Sequence, residues 1–588
     1  MSAVAKLTSA IAAILDSART LEFSDVGLIG VCAVGAAFGA RTVYVVFARV
    51  LGLYGPEQFR RFPRLPWRAP HQTWSALKRW HERTRLFGRR GATGGFAGAL
   101  GAMSLLFRPG KVLLGRVYAS GLSGLQPVGI YIKRHLFALA QTGSGKTVLA
   151  ITIVATWLGS VFIIDPKAQI VRALAGRDGR QWHIIDVDGQ SGLPSACFNP
   201  FDWIKDCQKR CGEGAAVLAA MRIAEALIVT PPGNKSPFFY DLPRQLLAGL
   251  ILHVLTVHPA KDHNLPYVRD LLIHGYRVAA EDGTEITRAG EPHEFLLRIM
   301  LKNPAFDGVA AGAASAMASA GGETLGSLRA TLLEQTKWLD LPNVRRALMR
   351  SDFSLLDLKR RNDVVVAFTP SIYSVREELS RFARLLTNLT AYSFELETTR
   401  KGLCLMVVDE LPAQGYNPVF ETLLAVSRSH GLIFFGIAQS VELMKRNYPD
   451  MYRSFIGEAD ATWWMGGTHP DNQKLICELL GKRTLVETDR NTGRKTYREV
   501  AVMEPEQIAR FLDPNSERVI VTRAGGRPLK LVNEPYFKAL PVWRYSPDPD
   551  YPEALLRRLV RALFDKGRKS LPPNPDRKDT ANDANHQP

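Results

Sequence analysis

Residues 135–157 read HLFALAQTGSGKTVLAITIVATW. The first six, His135–Ala140, form a short apolar run with the look of a buried strand. Gln141, Thr142, Gly143, Ser144, Gly145, Lys146 and Thr147 follow at once, and Val148–Trp157 is a mostly apolar, glycine-free run of helix length. Strand, glycine-rich loop and helix in that order are the setting a phosphate-binding loop requires. Gly143 and Gly145 let backbone N–H groups curl around phosphate oxygens, and the helix start adds partial positive charge. Lys146 is placed to reach the β- and γ-phosphates of ATP, and the Thr147 hydroxyl to ligate Mg²⁺. Where the motif usually begins with glycine, this chain has Ala140.

Such a loop needs an acidic partner at the tip of another strand. Leu403–Val408 is a run of six apolar residues that ends in Asp409 and Glu410. Asp409 is expected to serve the Mg²⁺ ion and Glu410 to polarise the attacking water. Ser160–Ile164 followed by Asp165 is a second strand with a terminal acid. It directly follows the loop's helix, so it reads as the neighbouring strand of a βαβ unit, and Pro166 after Asp165 favours Asp409 for the metal role. Leu432–Ala438 is another buried strand, ending in Gln439. Gln439 is either a γ-phosphate or water contact, or a polar loop residue. Asn417 and Pro418 open the intervening helix and Gly431 closes it. Arg428 lies in its last turn, where it either complements the helix dipole or reaches a neighbouring subunit's nucleotide as an arginine finger.

Further strands are expected at His183–Ile185, Val364–Phe368, Ala461–Met465 and Val519–Val521. Helical stretches separate most of the strands, which indicates an α/β fold with a mainly parallel, doubly wound sheet. Roughly 180 residues between Asp186 and Val364 show little strand pattern, far more than a crossover needs. Leu242, Leu246, Leu247, Leu250, Ile251, Val254 and Leu255 recur at helical spacing there, with Asp241 and Pro243 at the expected start. The segment 310–322, rich in Ala, Gly and Ser, reads as a loop. An all-α domain is therefore expected inside the sheet domain.

The chain has 588 residues, 75 Lys+Arg against 56 Asp+Glu, a net charge of +19 and 46% apolar residues. That balance excludes an acidic solvating protein and a wholly disordered chain, and favours polyanionic partners. Six cysteines without a CxxC pair exclude a disulfide framework, and Cys207 and Cys211 lack a second ligand pair for zinc. Val26–Ala48 is a 23-residue stretch with one charge, Arg41. It is either a membrane span or anchor, or a buried or interfacial helix. From Arg60 to Arg90 there are ten Lys/Arg and one acid, Glu82, interleaved with Trp67, Trp74 and Trp80. This stretch suits anionic headgroups at a cytoplasmic face; a DNA-backbone patch and a solvated basic face are the alternatives. From Lys566 the tail is polar and expected to be disordered.

With these residues in view, the chain resembles the type IV secretion coupling proteins, the TraG/TraD-like ATPases of conjugation. The resemblance rests on several stretches in order: GATGGFA at 91–97, PGKVLLGR at 109–116, AQTGSGKT at 140–147, VFIIDPKAQI at 161–170 and FNPFD at 198–202. It continues through SPFFYDLPRQLLAGLILHVL at 236–255, VVDELPAQG at 407–415 and SRSHGLIFFGIAQS at 427–440. It implies a RecA-like P-loop NTPase domain that carries an inserted all-α domain and an N-terminal membrane-proximal helical segment. The corresponding division is 1–90 anchor and basic segment, 91–234 first nucleotide-binding part, 235–335 insert, 336–565 second nucleotide-binding part and 566–588 tail. It also implies ATP and Mg²⁺ chemistry through Lys146, Thr147, Asp409, Glu410 and Gln439, and a homo-hexamer at the bacterial inner membrane with most of the chain in the cytoplasm. The implied partners are DNA bound without sequence specificity, relaxase or effector proteins, and inner-membrane components of the secretion system. An effector-protein receptor that moves no DNA, and a soluble hexameric helicase or translocase, are the alternative functions. The family commonly has two clear N-terminal spans, whereas this sequence offers one stretch and a short second candidate, 91–107.

Overall fold

The structure is a computed structural model, and it describes residues 95–97, 105–118, 126–231, 236–276, 292–398, 402–467, 469–488, 495–547, 553 and 555–565. The apolar stretch Val26–Ala48, the basic stretch Arg60–Arg90 and the tail from Lys566 lie outside the described residues. Among the described residues no helix is long and apolar enough to cross a membrane.

Among the described residues, eleven strands form one mixed sheet. In chain order they are β1 (Val112–Val117), β2 (Pro127–Ile130), β3 (His135–Ala140), β4 (Ser160–Ile164), β5 (Gln181–Ile185), β6 (Val364–Phe368), β7 (Cys404–Val408), β8 (Leu432–Ala438) and β9 (Ala459–Met465). A separate exposed hairpin contributes β10 (Lys482–Thr488) and β11 (Lys495–Ala501), and the sheet ends with β12 (Arg518–Arg523) and β13 (Gly526–Val532). The spatial order is β2-β1-β13-β12-β9-β3-β8-β7-β4-β6-β5. Strands β9 through β5 in that order are all parallel. The remaining four form an antiparallel wing joined through β12 to β9.

The central parallel strands are almost wholly apolar because both of their faces are covered. β3, β4, β6, β7 and β8 are buried at every residue. All eight expected strands are present. The wing strands β1, β2 and β13 and the hairpin were not expected.

Between β5 and β6 the described residues contain helices and no strand. Helix Phe238–Val257 packs against Glu213–Leu227 and Ala305–Ala318. It begins at Phe238, so Pro243 sits one turn inside rather than at the start. The segment 310–322 corrects the loop expectation, because most of it is helix Ala305–Ala318. Phe306, Asp307 and Gly308 have left-handed backbone angles, and the regular helix follows them. Small residues serve contact here and not mobility. Ala310, Ala313 and Ala314 are buried, and a Cβ placed on Gly249 would lie 2.5 Å from the Ala313 Cβ. Gly249→Leu is therefore expected to destabilise the protein by about 1–3 kcal/mol through overpacking. A fall in the thermal midpoint checks this, and an unchanged midpoint refutes the close approach.

Helix Pro200–Cys211, which follows β5, is tied to the helix behind the sheet, Ser380–Leu396. The Trp203 indole donates to Ser393 Oγ at 2.9 Å, and Arg210 and Arg360 both pair with the buried Glu397. Within the insert, His253 is fully buried; its Nδ1 stands 3.1 Å from the Asn303 side-chain amide. Burial, then the nearby His258, pushes its pKa down to about 4. The unfolded chain thus takes up a proton near pH 6.5 that the folded chain refuses until about pH 4. Stability from this group is complete above pH 6.5 and is lost as pH falls toward 4, by up to about 3 kcal/mol. His253→Gln is expected to flatten the thermal midpoint against pH between 4 and 6.5; an identical slope would refute this.

Candidate functional site

β3, β8, β7 and β4 are adjacent and parallel, so the residues that follow them meet along one edge of the sheet. Carboxyl ends of parallel strands are where α/β sheets bind ligands. Gln141–Thr147 follow β3, Gln439 follows β8, Asp409 and Glu410 follow β7, and Asp165 follows β4.

The loop after β3 turns tightly: Ser144 N–H and Ser144 Oγ both donate to the Gln141 carbonyl, at 3.1 and 2.6 Å. Gly143 and Gly145 have φ of +82° and +87°, values that disfavour any side chain. Ala140 needs no such freedom. It is the last residue of β3, extended and paired with Met465, so alanine at the motif's first position costs nothing. Helix Lys146–Thr156 then begins with no side-chain cap. Its first-turn N–H groups lack partners within the helix, the arrangement that receives an anion. Thr147 is its second residue and is half-buried.

Two of the expected residues converge on a third. Lys146 Nζ lies 2.6 Å from Glu410 Oε2, and Gln439 Nε2 donates to the same oxygen at 3.0 Å. Glu410 is buried and held at φ +62°, a left-handed conformation that costs a non-glycine residue energy. Its Oε1 and the Asp409 Oδ1 are buried with no hydrogen-bond partner among the described residues. Burial pushes the Asp409 carboxyl up, with Glu410 adding to the shift and Lys146 and Lys167 opposing it. Two buried carboxylate oxygens without partners beside a lysine are a donor set that suits a hydrated divalent cation.

Asp165 has a different task. Its oxygens accept from the N–H groups of Gln169, Ile170 and Val171, at 3.2, 2.8 and 3.1 Å. It caps the short helix Gln169–Leu174. Burial first, and then Asp409, pushes its pKa up to about 7 against those three hydrogen bonds. Arg428 lies on helix Val419–His430; its side chain lies outside the described residues.

Sequence reasoning missed the loop's outer support. Gln141 N–H donates to the Met465 carbonyl at 3.2 Å. The Asn533 side-chain amide stands 3.4 Å from the Gly145 carbonyl. Thr152 Oγ1 donates to the Glu534 carbonyl at 3.2 Å, and the Glu534 carboxylate pairs with Arg116 at 3.1 Å. Asn533 and Glu534 directly follow β13, whose internal Pro528 hides it as a strand. The available signal was LKLV at 529–532 running into Asn-Glu-Pro.

The family described as "Type IV secretory system Conjugative DNA transfer" matches residues 108–565. The conjugal transfer protein TraG of Escherichia coli is 28% identical over 386 residues, 62% of this chain and 57% of the relative. The protein VirD4 of Rhizobium radiobacter is 24% identical over 461 residues, 74% of this chain and 59% of the relative. The chain thus spans less than two-thirds of the length of these curated relatives. Among solved structures, the bacterial conjugative coupling protein TrwBdeltaN70 superposes with a TM-score of 0.55 at 16% identity, over 76% of this chain and 94% of that one. A second TrwB structure, in complex with ADP and Mg²⁺, gives 0.53 at 17% identity over 76% and 94%. These likenesses establish the fold: a RecA-like NTPase sheet with a helical insert.

Proposed function

The chain belongs to the type IV secretory system conjugative DNA transfer family, and we propose that it is a coupling ATPase that recruits a relaxase–DNA substrate and drives it toward a secretion channel. The observation that carries this reading is the meeting of Lys146, Glu410 and Gln439 at one carboxylate oxygen, beside buried Asp409. The loop's N–H groups and Lys146 bind the β- and γ-phosphates of ATP. Thr147 and Asp409 hold Mg²⁺, which supplies charge neutralisation on the phosphates. Binding of ATP moves Lys146 from Glu410 onto phosphate, and Glu410 is then available to accept a proton from the attacking water. Gln439, already bonded to Glu410, follows that change and passes it along β8. The presence of ADP and Mg²⁺ in a TrwB structure supports the same ligands here.

In this reading six copies form a ring at the bacterial inner membrane, with the bulk of the chain cytoplasmic. Arg428 completes a neighbour's site, and the helices of 235–335 receive the relaxase or effector. The net charge of +19 favours sequence-independent contact with DNA phosphates. The test is ATP turnover with and without single- and double-stranded DNA at 50 and 200 mM salt. Stimulation that falls by about tenfold or more across that range is expected. Turnover indifferent to DNA, with the insert binding a polypeptide signal, would instead identify an effector receptor.

A further inference from the structure

The antiparallel wing carries a second basic site, remote from the nucleotide chemistry. A groove of about 450 Å³ opens between the β10–β11 hairpin, helix Pro505–Phe511 and strands β12 and β13. Arg483, Arg510, Arg518 and Lys530 line it together with Met503 and Phe511. None of these four cations forms an ion pair among the described residues. Aromatic faces hold two of them instead. The Arg518 guanidinium lies 5.4 Å from the Tyr118 ring centre and 5.8 Å from that of Phe511. Lys530 Nζ lies 4.5 Å from the Phe96 ring centre and 4.9 Å from that of Phe511. Rings position a cation without neutralising it. Burial, and then the Arg483 charge, pushes the Lys530 ammonium below its usual range. This is an open positive site without an acidic partner among the described residues, suited to an anion.

The surroundings select the kind of anion. The hairpin that supplies Arg483 also exposes apolar side chains further out: Leu485 is 39%, Val486 48% and Tyr497 66% exposed. Leu485 stands opposite Arg498, and Val486 opposite Tyr497. Exposed aliphatic and aromatic groups beside unpaired cations suit the boundary between lipid headgroups and acyl chains, and are unfavourable in water. The chain also enters the fold at this place. Phe96 covers Lys530, and the Ala97 N–H donates to the Pro528 carbonyl at 2.9 Å. The sequence before it contains the ten Lys/Arg of 60–90 and the apolar stretch Val26–Ala48.

We propose that this groove binds the phosphate of an anionic phospholipid headgroup, with the hairpin entering the bilayer interface edge-on, Leu485 on one of its faces and Val486 and Tyr497 on the other. The site docks the wing of the motor domain onto the membrane surface. Its occupation is independent of ATP, so it stands or falls apart from the reading of the P-loop.

The test uses the full chain in a neutral detergent without nucleotide. Isothermal titration is carried out with dihexanoyl phosphatidylglycerol, dihexanoyl phosphatidylcholine, inorganic phosphate and a thymidine oligonucleotide. Saturable binding of the phosphatidylglycerol and none of the phosphatidylcholine is expected. In Arg518→Gln/Lys530→Gln that affinity should fall roughly thirtyfold, each cation near a lipid surface being worth about a factor of five. ATP affinity reports whether the variant is folded. Should it not fold, Arg510→Gln is expected to weaken lipid binding roughly fivefold. Equal phosphatidylglycerol affinity in a folded variant overturns the proposal. So does inorganic phosphate binding as tightly as the lipid, or the oligonucleotide alone losing affinity in the variant.

Discussion

Lys146→Ala is expected to lower ATP turnover at least about a thousandfold, to near the background rate. Two losses combine. The ammonium no longer neutralises charge that develops on the transferring phosphoryl group, and such preorganised contacts are usually the largest single contribution to catalysis. The buried Glu410 also loses the cation that holds it, 2.6 Å away, before nucleotide arrives. Steady-state phosphate release checks the rate, and an unchanged thermal midpoint shows that the loss is chemical. Turnover within tenfold of the parent would remove Lys146 from the site.

Glu410→Gln separates chemistry from binding. The substitution keeps the shape and a hydrogen-bonding oxygen for Lys146 and Gln439 but cannot accept a proton. A fall of about 10²–10⁴-fold in turnover is expected, with ATP affinity retained. Single-turnover measurements with bound ATP check it. Chemistry within a few-fold of the parent would place the base elsewhere, with Asp409 the next candidate. The left-handed backbone at Glu410 makes the point sharper. Glutamine inherits the same backbone cost, so the two proteins differ in proton acceptance and little else.

How much of this was legible before the structure follows from burial. β3, β4, β6, β7 and β8 are buried on both faces, so each reads as an unbroken apolar run, and their limits were found to within a residue. In the wing, β13 has one face partly in water and β2 is the edge of the sheet. β13 carries Arg527, Pro528 and Lys530 among its seven residues, and β10 and β11 mix Lys, Arg and Glu with Thr, Leu, Val and Tyr in no alternating order. Periodicity in such strands is diluted by polar residues that hydrogen bonding across the ladder tolerates. The helix Ala305–Ala318 was hidden for another reason. Its alanines mark close helix contact with Gly249, and sequence alone cannot tell a packing stripe from a flexible linker. At the site, the residues that handle phosphate announce themselves by spacing. Asn533 and Glu534, which brace the loop from behind, belong to no motif, because they act through backbone carbonyls and a single ion pair. The side chain of Arg428 and the N-terminal stretches lie outside the described residues.

The bracing of the phosphate loop has a consequence for how the protein is made. Asn533, which leans on Gly145, trails it by 388 residues. At a synthesis rate of about 5–20 residues per second, roughly 20–80 s pass between the two leaving the ribosome. Until then the glycine turn has neither its antiparallel buttress nor the Glu534 carbonyl that steadies its helix. A nascent chain therefore carries a half-built cradle while most of its helices already exist, and a ribosome that stops short of the last strand releases a product that looks nearly folded yet grips triphosphate poorly.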